Sequence, residues 1–250
     1  MSWRRGGGLA RRGVGLGRLL GFPVRLDLSW FAGLALLVVL SRELWSPPVA
    51  GLAAVGLSGV FALAFFASVL VHELAHALVA RAVGVPTAEI RLFVFGGVAR
   101  IAGEPADPGA EVLVAMAGPL VSVVLAGLAD LASWWVAGPA GDLLALLFLG
   151  NLVVAGFNLL PGFPLDGGRV ARALVWRATG QRLLATRVTA FLGRALAAAL
   201  FLGGAAAALW QQTPRWLPQM VLGLFLWQAA ADGERSAARE RPLAGRAERG

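Results

Sequence analysis

From Leu52 to Val71 the chain carries no ionisable side chain, and the next five residues, His72-Glu73-Leu74-Ala75-His76, carry three. An apolar run of ~20 residues is what an α-helix needs to cross the hydrocarbon of a bilayer. With no water to satisfy it, the backbone of such a run must bond to itself, so a helix is the structure open to it. Gly84-Val85-Pro86 stops the run, which places a helix at about Leu52 to Val83 with the histidines near its far end. They are the only histidines in 250 residues. Spaced by four, about one turn, both imidazoles leave the same face and can reach one cation.

The rest of the chain fits a membrane setting. It is 58% hydrophobic and 14% charged, with a mean hydropathy of +0.74. The expected fold is an all-α polytopic membrane protein with about six transmembrane helices and a short membrane-associated β-hairpin after the second. The first span covers about Leu28 to Leu44, with Trp30 and Trp45 as interfacial anchors. No small-residue cleavage site follows it, so a retained helix is expected rather than a signal peptide. Pro47-Pro48 separates it from the second span. Residues Ala88 to Ile101 are rich in β-formers and split by Gly96-Gly97, which predicts two short strands. A third span, about Val112 to Val136, holds Asp130. That carboxylate is expected near the outer interface beside Trp134-Trp135, a buried functional group being the alternative. A fourth span, about Asp142 to Leu160, precedes a polar cytoplasmic helix with Arg169, Arg172 and Arg177. Fifth and sixth spans follow at about Val188 to Leu209 and Trp216 to Ala231.

Three regions result: a basic, mobile cytoplasmic segment at 1–27, a six-span domain at 28–231, and a charged, disordered tail at 232–250. All 22 basic residues are arginine. With both termini cytoplasmic, only Arg42 and Arg215 fall in external loops and Arg194 inside the fifth span, the asymmetry that orients proteins in the cell membrane. A net charge of +8 would suggest nucleic acid in a soluble domain, but no aromatic–basic patch is present, so no nucleic-acid partner is expected. The absence of cysteine excludes disulfides and thiolate metal sites.

H-E-x-x-H on a helix is a zinc-hydrolase pattern in which both histidines bind metal and the glutamate is the general base. Catalytic zinc usually keeps three protein ligands, and no histidine remains. The third ligand must therefore be a carboxylate. Glu73 is better used as the base, and Asp166 is the best candidate. It follows the fourth span in Asn158-Leu159-Leu160-Pro161-Gly162-Phe163-Pro164-Leu165-Asp166-Gly167-Gly168. In an alternating topology the ends of the second and fourth spans share one leaflet, with Gly167-Gly168 leaving space. The alternative for Asp166 is a turn residue.

His72-Glu73-Leu74-Ala75-His76, then Phe95-Gly96-Gly97, then Asn158 through Gly167 together resemble the site-2 protease family of intramembrane zinc metalloproteases, over about residues 50–180. The resemblance implies one Zn2+ per chain held by His72, His76 and Asp166, with Glu73 as general base. It implies that Asn158 holds the substrate or its developing oxyanion; the bland alternative is a cap or interhelical bond. Substrates would be transmembrane segments of other proteins, cut within the lipid bilayer as regulated intramembrane proteolysis. Many members append a PDZ-like or CBS domain, and neither is seen in this sequence. A substrate helix must unwind before cleavage, and the strand around Phe93 to Arg100, with Gly96 and Gly97, is the candidate to receive it as an added strand. The hairpin as a mere plug is the alternative there. The rival function is a membrane metal-binding or metal-transport protein without protease activity. That would need ligands at several depths. A two-histidine, one-carboxylate iron enzyme fits the ligand count but leaves Glu73 unexplained.

Overall fold

A computed structural model of the chain describes residues 13–45, 49, 51–101, 103 and 105–247, with 101 and 236–247 described by their backbone. Pro47-Pro48, the expected break, and residues 1–12 lie outside the described residues. In order come β1 (Gly13–Leu19), β2 (Phe22–Asp27), α1 (Leu28–Ser41), α2 (Gly51–Ala82), β3 (Thr87–Phe93) and β4 (Gly96–Ile101). Then follow α3 (Pro108–Ser133), α4 (Pro139–Asn158), α5 (Asp166–Thr179), α6 (Arg182–Gln211), a 3-10 turn at Pro214–Trp216 and α7 (Leu217–Ala247).

The protein is mostly helical, and among the described residues four helices are long and apolar enough to cross a membrane: α2, α3, α4 and α6. Six were expected. The 14 residues of α1 rise only ~21 Å at 1.5 Å each, short of the ~30 Å hydrocarbon. In α7, Asp232 and Glu234 interrupt the apolar stretch before it reaches the required hydropathy. The tail expected to be disordered continues α7 as helix through Ala247. Alanine, glutamate and arginine dominate it and are all strong helix formers.

The chain divides into two compact units, one of Met1–Gly103 with Val121–Asn151 and one of Glu104–Leu120 with Leu152–Gly250. The first contains a four-stranded sheet in the order β1-β2-β3-β4. The fold is therefore not all-α, and residues 13–27, expected to be mobile, supply half of the sheet. β1 pairs with β2 and β3 with β4 in antiparallel fashion, whereas β2 runs parallel to β3 with Val24 opposite Ile90 and Leu26 opposite Leu92. Parallel neighbours need a long crossover, and α1 and α2 provide it.

Strand periodicity sets which face is buried. Phe22, Val24 and Leu26 on β2 and Ile90 and Leu92 on β3 are buried, while Glu89 and Arg91 alternate with them and pair at 2.8 Å. The apolar face packs on α2: Phe22, Ile90 and Ala99 against Leu74 and Ala77, and Leu26 and Leu92 against Phe66 and Val69. The sheet thus lies along the same turns of α2 that carry the histidines. Trp30 and Trp45 are core residues rather than interfacial anchors. Trp30 packs edge-on to Phe66 at 5.3 Å, and the indole of Trp45 donates to Ser58 Oγ at 3.0 Å. Trp134 and Trp135, beyond the end of α3, are exposed.

In the second unit, α5 packs on α6 and α6 on α7, around Leu165, Ala197 and Leu226. Arg194, inside α6, pairs with Glu234 of α7 at 2.5 Å. That pairing gives a partner to the one charge beyond the first two turns of α6.

Candidate metal centre

His72, Glu73 and His76 are all buried on α2, at 2%, 8% and 5% exposure. Helical spacing brings the two imidazoles together, with Nε2 of His76 3.1 Å from Nε2 of His72. Zn–N bonds of ~2.0–2.1 Å in a tetrahedral site would separate two such nitrogens by ~3.3 Å. The histidine pair has the spacing of one edge of a zinc coordination shell. On the far side of its ring, His72 Nδ1 lies 2.9 Å from the hydroxyl of Ser122, which is wholly buried on α3.

Glu73 leaves the helix beside its neighbours but is held by the sheet. Its Oε2 accepts the backbone N–H of Ala99 on β4 at 2.7 Å. Gly97, on the same strand, makes this approach possible. A Cβ there would stand 2.5 Å from Glu73 Cγ and 3.0 Å from both Cδ and Oε1. Gly96, at φ +135, turns the hairpin in a conformation that L side chains rarely adopt. The hairpin turn is fixed at its other side by α1, where Val94 N–H donates to Ser29 Oγ at 3.3 Å. Gly33 leaves room there for the Val94 backbone.

Asp166 is the first residue of α5, half-buried, and so sits in a helix rather than a loop. Gly167 and Gly168 do more than leave empty space. Side chains there would run into the backbone at Leu159, Leu160 and Gly162, so the two glycines let α5 start tight against the turn that ends α4. The turn itself is pinned by Phe163 N–H to the Thr189 carbonyl at 3.0 Å and by Leu165 N–H to the Gly162 carbonyl at 2.9 Å. One and a half turns further along α5, Arg172 pairs with buried Glu111 of α3 at 2.5 Å. Asn158 donates from Nδ2 to the Val154 carbonyl of its own helix at 3.0 Å. Asp130 is half-buried at the far end of α3.

Among the described residues, those that could hold a metal ion are His72 and His76 on α2 and Asp166 at the start of α5. Two imidazoles and a carboxylate are a donor set that suits zinc. Ser122 and Ala99 went unnoticed in the sequence. A serine in an apolar span and a backbone N–H carry no pattern that could have marked them.

Comparisons with known proteins bear on this geometry. The family model of peptidase family M50 matches residues 60–138 and 132–203. A Synechocystis protein named as a zinc metalloprotease is 39% identical over 199 residues, 75% of this chain and 52% of its own length. Rip3 of Mycobacterium tuberculosis, also named as a zinc metalloprotease, is 34% identical over 253 residues, 94% of this chain and 62% of its own. The chain thus spans about half to three-fifths of the curated relatives it matches. The solved structure of a site-2 protease from Methanocaldococcus jannaschii superposes with a TM-score of 0.65 at 28% identity, covering 89% of this chain and 95% of that one.

Proposed function

This chain belongs to peptidase family M50, the site-2 protease family, and from that premise we propose that it is an intramembrane zinc endopeptidase that hydrolyses peptide bonds in membrane-spanning segments of other proteins. The observation that carries the reading is the buried His72-Glu73-His76 turn, its two Nε2 atoms 3.1 Å apart, on a 32-residue apolar helix. His72, His76 and Asp166 would hold one zinc ion. When bound, zinc supplies Lewis-acid polarisation of a peptide carbonyl and brings the pKa of a water towards ~7.

The remaining chemistry belongs to the chain's own residues. Glu73 takes a proton from the attacking water as the oxygen adds to the scissile carbonyl carbon. It then returns that proton to the departing amine as the C–N bond breaks. The Ala99 N–H that Glu73 Oε2 accepts keeps the carboxylate oriented through both transfers. β4 is an edge of the sheet, so an unwound substrate segment would add alongside it, with Gly96 and Gly97 as its contacts. Asn158 would hold the substrate or its developing oxyanion through a side chain now bonded to the Val154 carbonyl.

We further propose that α1 and the apolar start of α7 also cross the bilayer, the short α1 with local thinning of the lipid around it, completing six spans with both termini in the cytoplasm. The arginine asymmetry supports that orientation. Regulated intramembrane proteolysis is the biological setting the family suggests. A metal transporter is not favoured, because it would need ligands at several depths, and both histidines of the chain sit within one turn of α2. Cleavage of a single-span test protein by the purified chain in lipid tests the proposal. Glu73→Ala should abolish product while zinc stays bound, and undiminished proteolysis in that variant would remove Glu73 as the base.

A further inference from the structure

We propose that Ser122 is a positioning residue of the metal centre, acting through His72. This rests on the reading of His72 as a zinc ligand. The serine has no exposed surface and lies 50 residues from the histidine, in the middle of apolar α3. Its Oγ stands 2.9 Å from His72 Nδ1, on the opposite side of the ring from the Nε2 that faces His76. A neutral imidazole has one N–H and one lone pair, and whichever nitrogen carries the proton cannot ligate.

A cation on Nε2 requires the proton on Nδ1, and the Ser122 hydroxyl is placed to accept it there. With Nδ1–H donating to Ser122 Oγ, the Nε2 lone pair is left towards His76, where a cation would sit. The same bond fixes the rotation of the ring about χ2, which is broad and poorly determined by itself. His76, one turn along, cannot supply this, because its own Nε2 is the partner on the ligating side. Partners of metal-bound histidines typically change metal affinity by ~10–100-fold when removed. In most sites that partner is a carboxylate or carbonyl. A hydroxyl does the same work here without placing a further negative charge in an apolar helix.

The test is zinc affinity, measured by chelator competition on the full chain in detergent or lipid. Ser122→Ala removes one oxygen and leaves the rest of the packing, and should weaken zinc binding ~10–100-fold. Ser122→Cys keeps the volume with a poor acceptor and should behave like the alanine variant. Ser122→Thr keeps the hydroxyl and should restore affinity to within a few-fold. Melting of the metal-free proteins separates a packing defect from lost ligand orientation, since only the latter leaves metal-free stability near the parent's. Parent-like affinity in Ser122→Ala, with His72→Ala having lost the metal, would overturn the role of Ser122 and leave the ligand set standing. Equal weakening in the alanine and threonine variants would also overturn it. Undiminished zinc binding in His72→Ala would instead defeat the ligand assignment on which the proposal rests.

Discussion

Glu73 is tied to Ala99: a carboxylate oxygen on the histidine-bearing helix α2 accepts the backbone N–H of a strand residue at 2.7 Å. The H-E-x-x-H turn therefore does not position its own glutamate unaided. A sheet whose first strands precede α1 in the chain is packed onto α2 to hold it, and the hairpin can come close enough only because Gly97 lacks a side chain.

Gly97→Ala should lower kcat for a single-span substrate by ~10²-fold or more, since a displacement of about 1 Å at a reacting group has effects of that size. The added Cβ would stand 2.5 Å from Glu73 Cγ, so the carboxylate has to move. Zinc content should be unchanged. Steady-state cleavage alongside metal analysis of the variant separates the two effects.

The ion pair between Arg172 and Glu111 should matter for stability more than surface pairs do. Glu111 is 2% exposed in its side chain and Arg172 12%. Removing one member of such a pair strands the other charge in a dry setting, at a cost of ~3–5 kcal/mol. Arg172→Ala should therefore melt well below the parent, by thermal unfolding in detergent. Restoring a neutral pair with Glu111→Gln in the same chain should recover part of the loss.

Asp27 caps α1 just ahead of its first turn, accepting from the Ser29 N–H at 3.0 Å. That backbone bond and then the Ser29 hydroxyl hold its carboxyl below the usual range; burial opposes them, and Arg91 at 4.0 Å adds a lowering smaller than that opposition. A carboxyl with a lowered folded pKa contributes stability that is fully present above its unfolded value, ~3.9, and is lost as pH falls through the folded one. Asp27→Ala should cost ~0.5–2 kcal/mol at pH 7. The difference from the parent should shrink as pH drops below about 4, which unfolding curves at pH 7 and pH 3 would register.

Much of the candidate site was legible in the sequence because its histidines and its carboxylate each carry a local signal. His72 and His76 declare themselves by a spacing of four, and Asp166 by its place after a proline-broken span. The sheet was half visible. β3 and β4 are rich in β-formers and adjacent in sequence. β1 is broken up by three glycines, and β2, though Phe22, Val24 and Leu26 alternate, finds its parallel partner only after α1 and α2 intervene, so its place in the sheet has no local signature. The span count was read from apolar runs, but Asp27 caps α1 and Ser41-Arg42 ends it after 14 residues. Trp30 and Trp45 have the composition of interface anchors, and only tertiary packing against Phe66, and the bond to Ser58, makes them core.

The zinc bound per chain in Asp166→Ala, compared with the parent, probes most directly the convergence of two imidazoles and one carboxylate on a single cation. The account expects one zinc per parent chain and its loss, or a large fall in affinity, in the variant, with helical content retained by circular dichroism. A folded Asp166→Ala protein that keeps stoichiometric zinc at parent affinity would contradict it.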